Sequence, residues 1–331
     1  MKKTVYLFTD GQVSRKDNTF VFQSATDKRF LPIEQIGEIY VFGEVDVTKK
    51  FLELASKNEI LIHYFNYYGY YVGTFYPREH LNSGYMILKQ AEAYMNEESR
   101  LGLANKFVMG AVENIERVLK YYERRKEGFP SLLLEQLGEL KSQIMLQESV
   151  EALMAIEGNI RNLYYSAFDF IIGDPNFKFV ERSRRPPKNE LNTLISFGNS
   201  MVYTTVLSQI YRTHLDPRIG YLHATNFRSF SLNLDVAEIF KPIIVDRLIF
   251  NILNHKAITK NDFYEDSGGI IMKETGKKTF VSEFDKRLKT TIKLRGLGRS
   301  VSYRTLIRLE LYKIQKHLMG EKEYKPFVAS W

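Results

Sequence analysis

One histidine and three carboxylates, drawn from separate segments, have the types and spacing to do chemistry in this chain. His223 ends Gly220-Tyr-Leu-His223, after the turn-rich Asp216-Pro217-Arg218-Ile-Gly220. Asp235 and Glu238 follow in Ser231-Leu-Asn-Leu-Asp235-Val-Ala-Glu238 and share a face if that segment is helical. Upstream, Glu157 stands in Ala155-Ile-Glu157-Gly-Asn-Ile-Arg161, with Leu153, Met154, Ile156 and Ile160 around it at helical spacing. A carboxylate on such a face is costly to bury unless it is paired or binds a cation. Oxygen ligands suit Mg²⁺ and Mn²⁺, and an imidazole shifts the preference toward Mn²⁺. Each residue also has a plainer reading. Glu157 can pair with Arg161 one turn later, His223 can be a satisfied core or surface histidine, and the acidic pair can be a solvated face. Leu232, Leu234, Val236, Ile239 and Phe240 predict that the helix carrying the pair is largely buried, which favours the metal.

These residues need a helical frame, and the pattern supplies one after a β-rich start. Runs at 4–9, 19–22, 39–42, 60–65 and 67–73 are β-branched and aromatic and end at Gly, Asn or Asp, as strands do. Residues 48–57 have helical spacing. Pro77 and Gly84 bracket a linker. Beyond it, 86–122, the run that follows Pro130, 192–212 and 235–253 read as helices, with Pro242 a kink or restart in the last. Gly268-Gly269 and Gly276 flank a possible hairpin, and 284–293 and 302–318 read as two final helices. The fold class is α+β in two domains. Residues 1–80 form a small β-sheet, sandwich-like domain, 81–85 a linker, and 86–331 a larger helical catalytic domain.

The 331 residues carry 47 Lys and Arg against 39 Asp and Glu, a net charge of +8. That balance favours phosphate-bearing partners or an anionic surface. Without cysteine there is no disulfide, zinc ribbon or thiol nucleophile. No secretory leader is visible, and no apolar run approaches the ~20 residues of a membrane helix, so the chain reads as soluble and cytoplasmic. Basic residues gather at Arg182, Arg184 and Arg185, at Arg228, at Lys241 and Arg247, and between Lys273 and Arg308. Near a metal site they would position phosphates. Glu274-Thr-Gly276-Lys-Lys-Thr279 is not a phosphate loop, because Ile271 stands where that motif needs glycine.

Several ordered stretches then become specific. Ser183-Arg-Arg-Pro-Pro-Lys-Asn-Glu-Leu-Asn192-Thr-Leu-Ile-Ser-Phe-Gly198, Leu215-Asp-Pro-Arg-Ile-Gly-Tyr-Leu-His223 and the run from Arg228 through Asp235 and Glu238 to Asp246-Arg247 resemble motifs of the CRISPR-associated spacer-integration endonucleases (the Cas one protein family). Ala155-Ile-Glu157-Gly is similar to the segment holding that family's first metal carboxylate, and Arg29-Phe-Leu-Pro-Ile-Glu-Gln-Ile resembles its N-terminal part. The likeness runs nearly end to end. It departs at Asn199, at Lys241 and in the extra Ser229-Phe230 after Arg228.

The resemblance implies a metal site of Glu157, His223 and Glu238 holding Mg²⁺ or Mn²⁺. Asp235 would be an auxiliary acid and Tyr203 a catalytic-site neighbour, with Asn192 and Arg228 in positioning roles. Arg182, Arg184, Arg185, Asn192, Arg228, Lys241 and Arg247 are the candidate DNA contacts. The implied activity is metal-dependent endonuclease and integrase chemistry on double-stranded, branched or single-strand-ended DNA. The implied assembly is a homodimer through the β domain, joined by a small ferredoxin-like partner (the Cas two protein). Replacing a metal carboxylate is expected to leave the fold intact. The alternatives are another metal-dependent nuclease or phosphodiesterase, and a non-catalytic nucleic-acid scaffold.

Overall fold

A computed structural model describes residues 2–78, 81, 83–223, 230–294 and 298–330. The chain divides into two compact units, Met1–Asn82 and Ser83–Trp331.

The first unit holds strands β1 (Lys3–Leu7), β2 (Gly11–Lys16), β3 (Thr19–Gln23), β4 (Lys28–Pro32), β5 (Ile36–Val41) and β6 (Val45–Val47), helix α1 (Lys49–Lys57), then β7 (Leu61–Phe65) and β8 (Tyr71–Phe75). They form two four-stranded sheets, ordered β1-β5-β7-β8 and β4-β3-β2-β6. In the first, β1, β5 and β7 run parallel and β8 returns antiparallel to β7. Val13, Phe20 and Phe22 of one sheet meet Leu7, Ile39, Val41 and Ile62 of the other. Helix α1 closes this core with Phe51, Leu54 and Ala55, its Phe51 ring edge-on to Phe20 at 4.5 Å. Thr48 caps it, accepting from the Phe51 N–H at 3.3 Å. His63 is buried, its Nδ1 2.7 Å from the Thr74 hydroxyl and its Nε2 4.0 Å from Glu38, so it belongs to a structural polar network.

The second unit is built from α2 (Gly84–Met95), α3 (Glu97–Glu123), α4 (Leu132–Gln143), α5 (Val150–Ser166), α6 (Phe168–Ile172), α7 (Glu190–Ile210), α8 (Leu232–Lys241) and α9 (Arg247–Asn254). A hairpin of β9 (Phe263–Asp266) and β10 (Gly269–Met272), α10 (Glu274–Lys289), a second hairpin of β11 (Thr291–Lys293) and β12 (Ser300–Ser302), and α11 (Tyr303–Leu318) complete it. Helix α7 is buried almost all round, as a central helix must be. The break in the 86–122 pattern falls at Asn96, whose side chain accepts from the Ser99 N–H at 2.8 Å and starts α3, and not at Gly102 or Gly110. Gly110 serves a close approach instead: a Cβ there would lie 2.6 Å from Pro326 and 3.4 Å from Ile239.

The final helices differ from expectation. Helix α10 begins at Glu274, because Phe280, Val281, Phe284 and Leu288 already form its buried stripe, and Thr291–Lys293 is a strand. After α8, Pro242 has no N–H to return to Glu238, and Pro242–Asp246 widens into a π-helical turn before α9. Gly198 of α7 lets this turn approach; a Cβ there would lie 2.5 Å from Val245.

Candidate metal centre

The site forms where α5, the loop ending at His223, and α8 with its π-turn converge. Ser149 starts α5, accepting from the Ala152 N–H at 3.2 Å, and two turns later the helix presents Glu157 and Arg161. The loop is drawn onto α8 by side chains. Ser231 accepts from the Gly220 N–H at 2.8 Å and donates to the Arg218 carbonyl at 2.7 Å. Asp235 collects the rest: Oδ2 accepts the N–H groups of Tyr221 at 2.5 Å and Leu222 at 3.1 Å, and Oδ1 that of His223 at 2.9 Å. Gly220 must be glycine, because a Cβ would lie 2.8 Å from the Asp235 carboxylate.

Asp235 also orients the imidazole, with His223 Nδ1 2.8 Å from Oδ1. Burial alone would disfavour the imidazolium, but the Asp235 contact and the Glu238 charge outweigh it and raise the His223 pKa above its ordinary value. One helical turn further, Glu238 is buried between cations. Lys241 donates to its Oε1 and Arg161 to its Oε2. Burial pushes this carboxyl up, yet Lys241 and Arg161 hold it down at about 2. Arg161 also reaches Glu157 Oε1 through Nε at 3.4 Å. The structure shows the plainer reading of Glu157, a pair with Arg161, and this pair lies beside Glu238. Lys241 lies over the Tyr203 ring, 4.8 Å from its centre. Beneath them Asp246 is buried, and burial raises its carboxyl to about 7.

The donor set suits a divalent cation: two carboxylates, plus an imidazole whose Nδ1 is committed to Asp235, the arrangement that orients metal-bound histidines. The grouping is closed, however. Among the described residues no three His, Asp or Glu side chains are gathered as a metal cluster. Arg161 stands between the two glutamates, and Lys241 takes the second oxygen of Glu238.

The candidate DNA contacts fall into different settings. Arg184 and Arg185 are exposed. Arg182 turns inward, donating to Asn192 Oδ1 at 2.8 Å and to the Ser196 hydroxyl at 3.0 Å, while Asn192 donates to the Glu181 carbonyl at 2.8 Å, so these two pin a loop to α7. Lys241 is buried with Glu238, and Arg247 lies over the Tyr121 ring at 4.6 Å. Arg228 lies outside the described residues. Reading by sequence gave no role to Asp246 and did not see that Arg161 binds a residue 77 positions away. The signals for them were the family-like motif that runs to Asp246-Arg247 and the spacing of Arg161 one turn after Glu157.

Comparison with known proteins places the chain among close relatives. The family model described as CRISPR associated protein Cas1 matches residues 5–286. A "CRISPR-associated endonuclease Cas1 2" of Thermodesulfovibrio yellowstonii is 56% identical over 331 residues, covering 100% of both chains. The solved Cas1 structure from Thermotoga maritima superposes with a TM-score of 0.89 at 47% identity, covering 98% of this chain and 100% of that one. Two more distant structures share the fold. A casposase bound to integration product has a TM-score of 0.88 at 21% identity, covering 99% of this chain and 93% of that one. A Cas6-RT-Cas1–Cas2 complex has 0.86 at 16%, covering 100% of this chain and 36% of that one.

Proposed function

This chain belongs to the Cas1 family of CRISPR-associated endonucleases, and from that premise we propose that it is a metal-dependent DNA endonuclease and integrase that inserts short foreign DNA into a repeat array. The observation that carries the reading is the convergence of Glu157 and Glu238 on Arg161, beside a His223 that Asp235 orients. Carboxylates from two distant helices converge on one guanidinium, with the imidazole of a third segment held alongside by Asp235, and this supports a catalytic centre over a solvated acidic face.

The reaction is phosphoryl transfer, in which a 3′-hydroxyl of the incoming DNA loses its proton and attacks a phosphodiester of the repeat, breaking the bond to the repeat strand's own 3′-oxygen, which leaves as a 3′-hydroxyl; water in its place gives cleavage. A bound Mg²⁺ or Mn²⁺ would be held by Glu157, Glu238 and His223 and would supply charge neutralisation at the phosphate and orientation of the nucleophile. Asp235 holds the imidazole so that Nε2 is the nitrogen presented to the site. Arg161 and Lys241, freed from Glu238, place positive charge where the transferring phosphoryl gains negative charge. Tyr203 supports the Lys241 side chain through its ring.

The assembly we propose is a homodimer through the β unit that works with the small Cas2 partner. The Cas2 component of the distant complex and the family membership support this. None of the described helices is long and apolar enough to cross a membrane.

A second reading has its own observation. A carboxylate pair closed by Arg161 is also what a non-catalytic nucleic-acid scaffold would carry. Strand transfer of a labelled short duplex into a repeat-bearing plasmid separates the two, run with and without Cas2 in Mg²⁺, Mn²⁺ or chelator. Joining that requires metal supports the enzyme. DNA binding in chelator, with no cutting or joining in either metal, supports the scaffold.

A further inference from the structure

A cavity of about 460 Å³ opens in the helical unit between the C-terminal end of α3, α9 and the last turns of α10. Its lining includes Tyr121, Arg125, Lys126, Arg247, Lys286 and Arg287. Among the described residues its one lining carboxylate is Glu283, already engaged by Lys286 at 2.6 Å. Neutral groups hold three of the other cations. Arg125 lies 3.8 Å from the Tyr121 ring centre. Lys126 donates to the carbonyls of Phe170 at 3.3 Å and Ile171 at 2.5 Å. Arg287 donates twice to the Ile243 carbonyl, at 3.2 and 2.6 Å. Arg247 lies over the same Tyr121 ring, 4.6 Å from its centre.

Gathering like charges in a half-enclosed cleft is unfavourable unless an anion neutralises them. The strain is visible at Arg287: burial pushes its pKa below the ordinary range, and the Arg247 charge pushes it the same way. Guanidinium forks match phosphate oxygens in pairs. Tyr121, with two guanidinium groups over its ring, and its edge-on neighbour Tyr122 form the aromatic wall beside these cations, and the volume is that of a small-ligand pocket. The cavity also backs onto the candidate metal centre, since Arg287 grips the π-turn at Ile243 and Arg247 directly follows Asp246.

We propose that this cavity binds a nucleoside phosphate, either free or as one unit of a single strand, with Arg125, Arg247 and Arg287 on the phosphate and the tyrosine pair beside the base. The strand form rests on the proposed DNA substrate; the free form does not.

The test is fluorescence anisotropy of the full chain in chelator with a 5′-phosphorylated, 3′-labelled thymidine tetranucleotide. Arg125→Glu should weaken binding, and Arg125→Glu with Arg247→Glu should weaken it roughly tenfold or more, as expected for lost charge-assisted contacts. The exposed pair Lys49→Glu with Lys57→Glu on α1 makes the same change in net charge and should weaken it less than twofold. Displacement of the probe by millimolar thymidine monophosphate assigns the site to free nucleotides, and its absence assigns it to the strand. Affinity of the cavity variant within twofold of the unaltered chain, or an equal loss in the α1 variant, overturns the proposal. Strand transfer is measured in parallel. Its failure in metal with the anisotropy difference intact rejects the integrase reading and leaves the cavity standing.

Discussion

One oxygen of Asp235 holds His223 twice: Oδ1 takes the backbone N–H at 2.9 Å and faces ring Nδ1 at 2.8 Å. The family resemblance implied an auxiliary acid at Asp235, one turn before Glu238. Its structural task is to anchor the loop that carries the histidine, through its contacts with residues 221–223.

Asp235→Asn should therefore act on both the fold and the metal. An amide NH₂ must now face backbone N–H donors that a carboxylate oxygen had accepted. Losing one charge-assisted acceptor is worth about 1.5–3 kcal/mol, so chemical denaturation should show a loss of that order. Mn²⁺ affinity, read by calorimetry, should fall about 10–100-fold, the usual effect of removing a partner that orients a ligating histidine. Unchanged stability would remove Asp235 from the anchoring role.

Arg161 closes the candidate centre, so Arg161→Ala should open it. Removing one partner of a buried ion pair costs about 3–5 kcal/mol, and Lys241 remains to offset part of this. In chelator the variant should melt earlier than the parent. A cation that binds the folded state raises its stability by mass action, and the variant no longer has to displace a guanidinium. Titrated Mn²⁺ should raise the melting temperature of Arg161→Ala more than that of the parent. An equal or smaller rise would mean that Arg161 does not compete for the site.

Glu157→Ala, His223→Ala and Glu238→Ala should each abolish metal-dependent cleavage and joining, but they should not share a stability profile. Replacing a metal carboxylate without harm to the fold should be possible at Glu157, whose side chain is 24% exposed and meets Arg161 at 3.4 Å. Its loss should stay within about 1 kcal/mol. Glu238 is 5% exposed and answers two buried cations. Glu238→Ala leaves buried Lys241 without its ion pair and Arg161 with only its longer contact to Glu157, and should cost about 3–5 kcal/mol. Thermal melts of the two variants in chelator would decide this, and equal melting temperatures would contradict the structure.

Asp246 sets a pH dependence. Burial lifts its carboxyl from 3.8 to about 7; the charges of Arg161 and Lys241 oppose this, Tyr164 opposes it further, and Glu238 reinforces it. A carboxyl whose folded pKa is raised binds its proton more tightly in the folded state. Its contribution is complete below pH 4 and is lost as pH rises through about 7. Glu238 acts oppositely and in another window, losing its contribution as pH falls from its ordinary 4.5 toward about 2. Between pH 5 and 8 the Asp246 effect should dominate this pair, at about 2–4 kcal/mol. Asp246→Asn should flatten the stability profile there in urea denaturation; parallel profiles for the parent and the variant would discard the assignment.

Much of this was legible in the sequence wherever one face of an element is apolar. The run at 19–22 lies in β3, those at 39–42 and 60–65 overlap β5 and β7 to within one residue, and the spacing at 48–57 lies over α1. Strands β2 and β4 escaped, because GQVSRK has one buried residue and KRFLP none, so pairing with neighbours rather than burial defines them. Glu157 and Arg161 could be read as partners because they share a helix. Their link to Glu238 could not, because ion pairs between distant segments leave no period in a chain. The cavity was hidden for the same reason: Arg125, Arg247 and Arg287 are neighbours only after α3, α9 and α10 have packed.

The β unit carries the remaining prediction. Tyr67 and Tyr68, at the turn between β7 and β8, are 60% and 43% exposed, and Val72 on the adjoining edge strand is 65% exposed. Helix α1 fills the core between the sheets with Phe51, Leu54 and Ala55, and neither tyrosine belongs to that core. Tyrosine at an exposed turn combines apolar area with a polar tip and is enriched at protein interfaces, and an open edge strand is a template for a second chain. A two-fold pairing would bring the same edge from both copies together, so each substitution counts twice. Tyr67→Asp with Tyr68→Asp should leave the fold intact by circular dichroism, because neither ring is in the core. In sedimentation the parent chain should run as a dimer and the double variant as a monomer at the same concentration. A double variant that still sediments as a dimer would move the interface away from this edge.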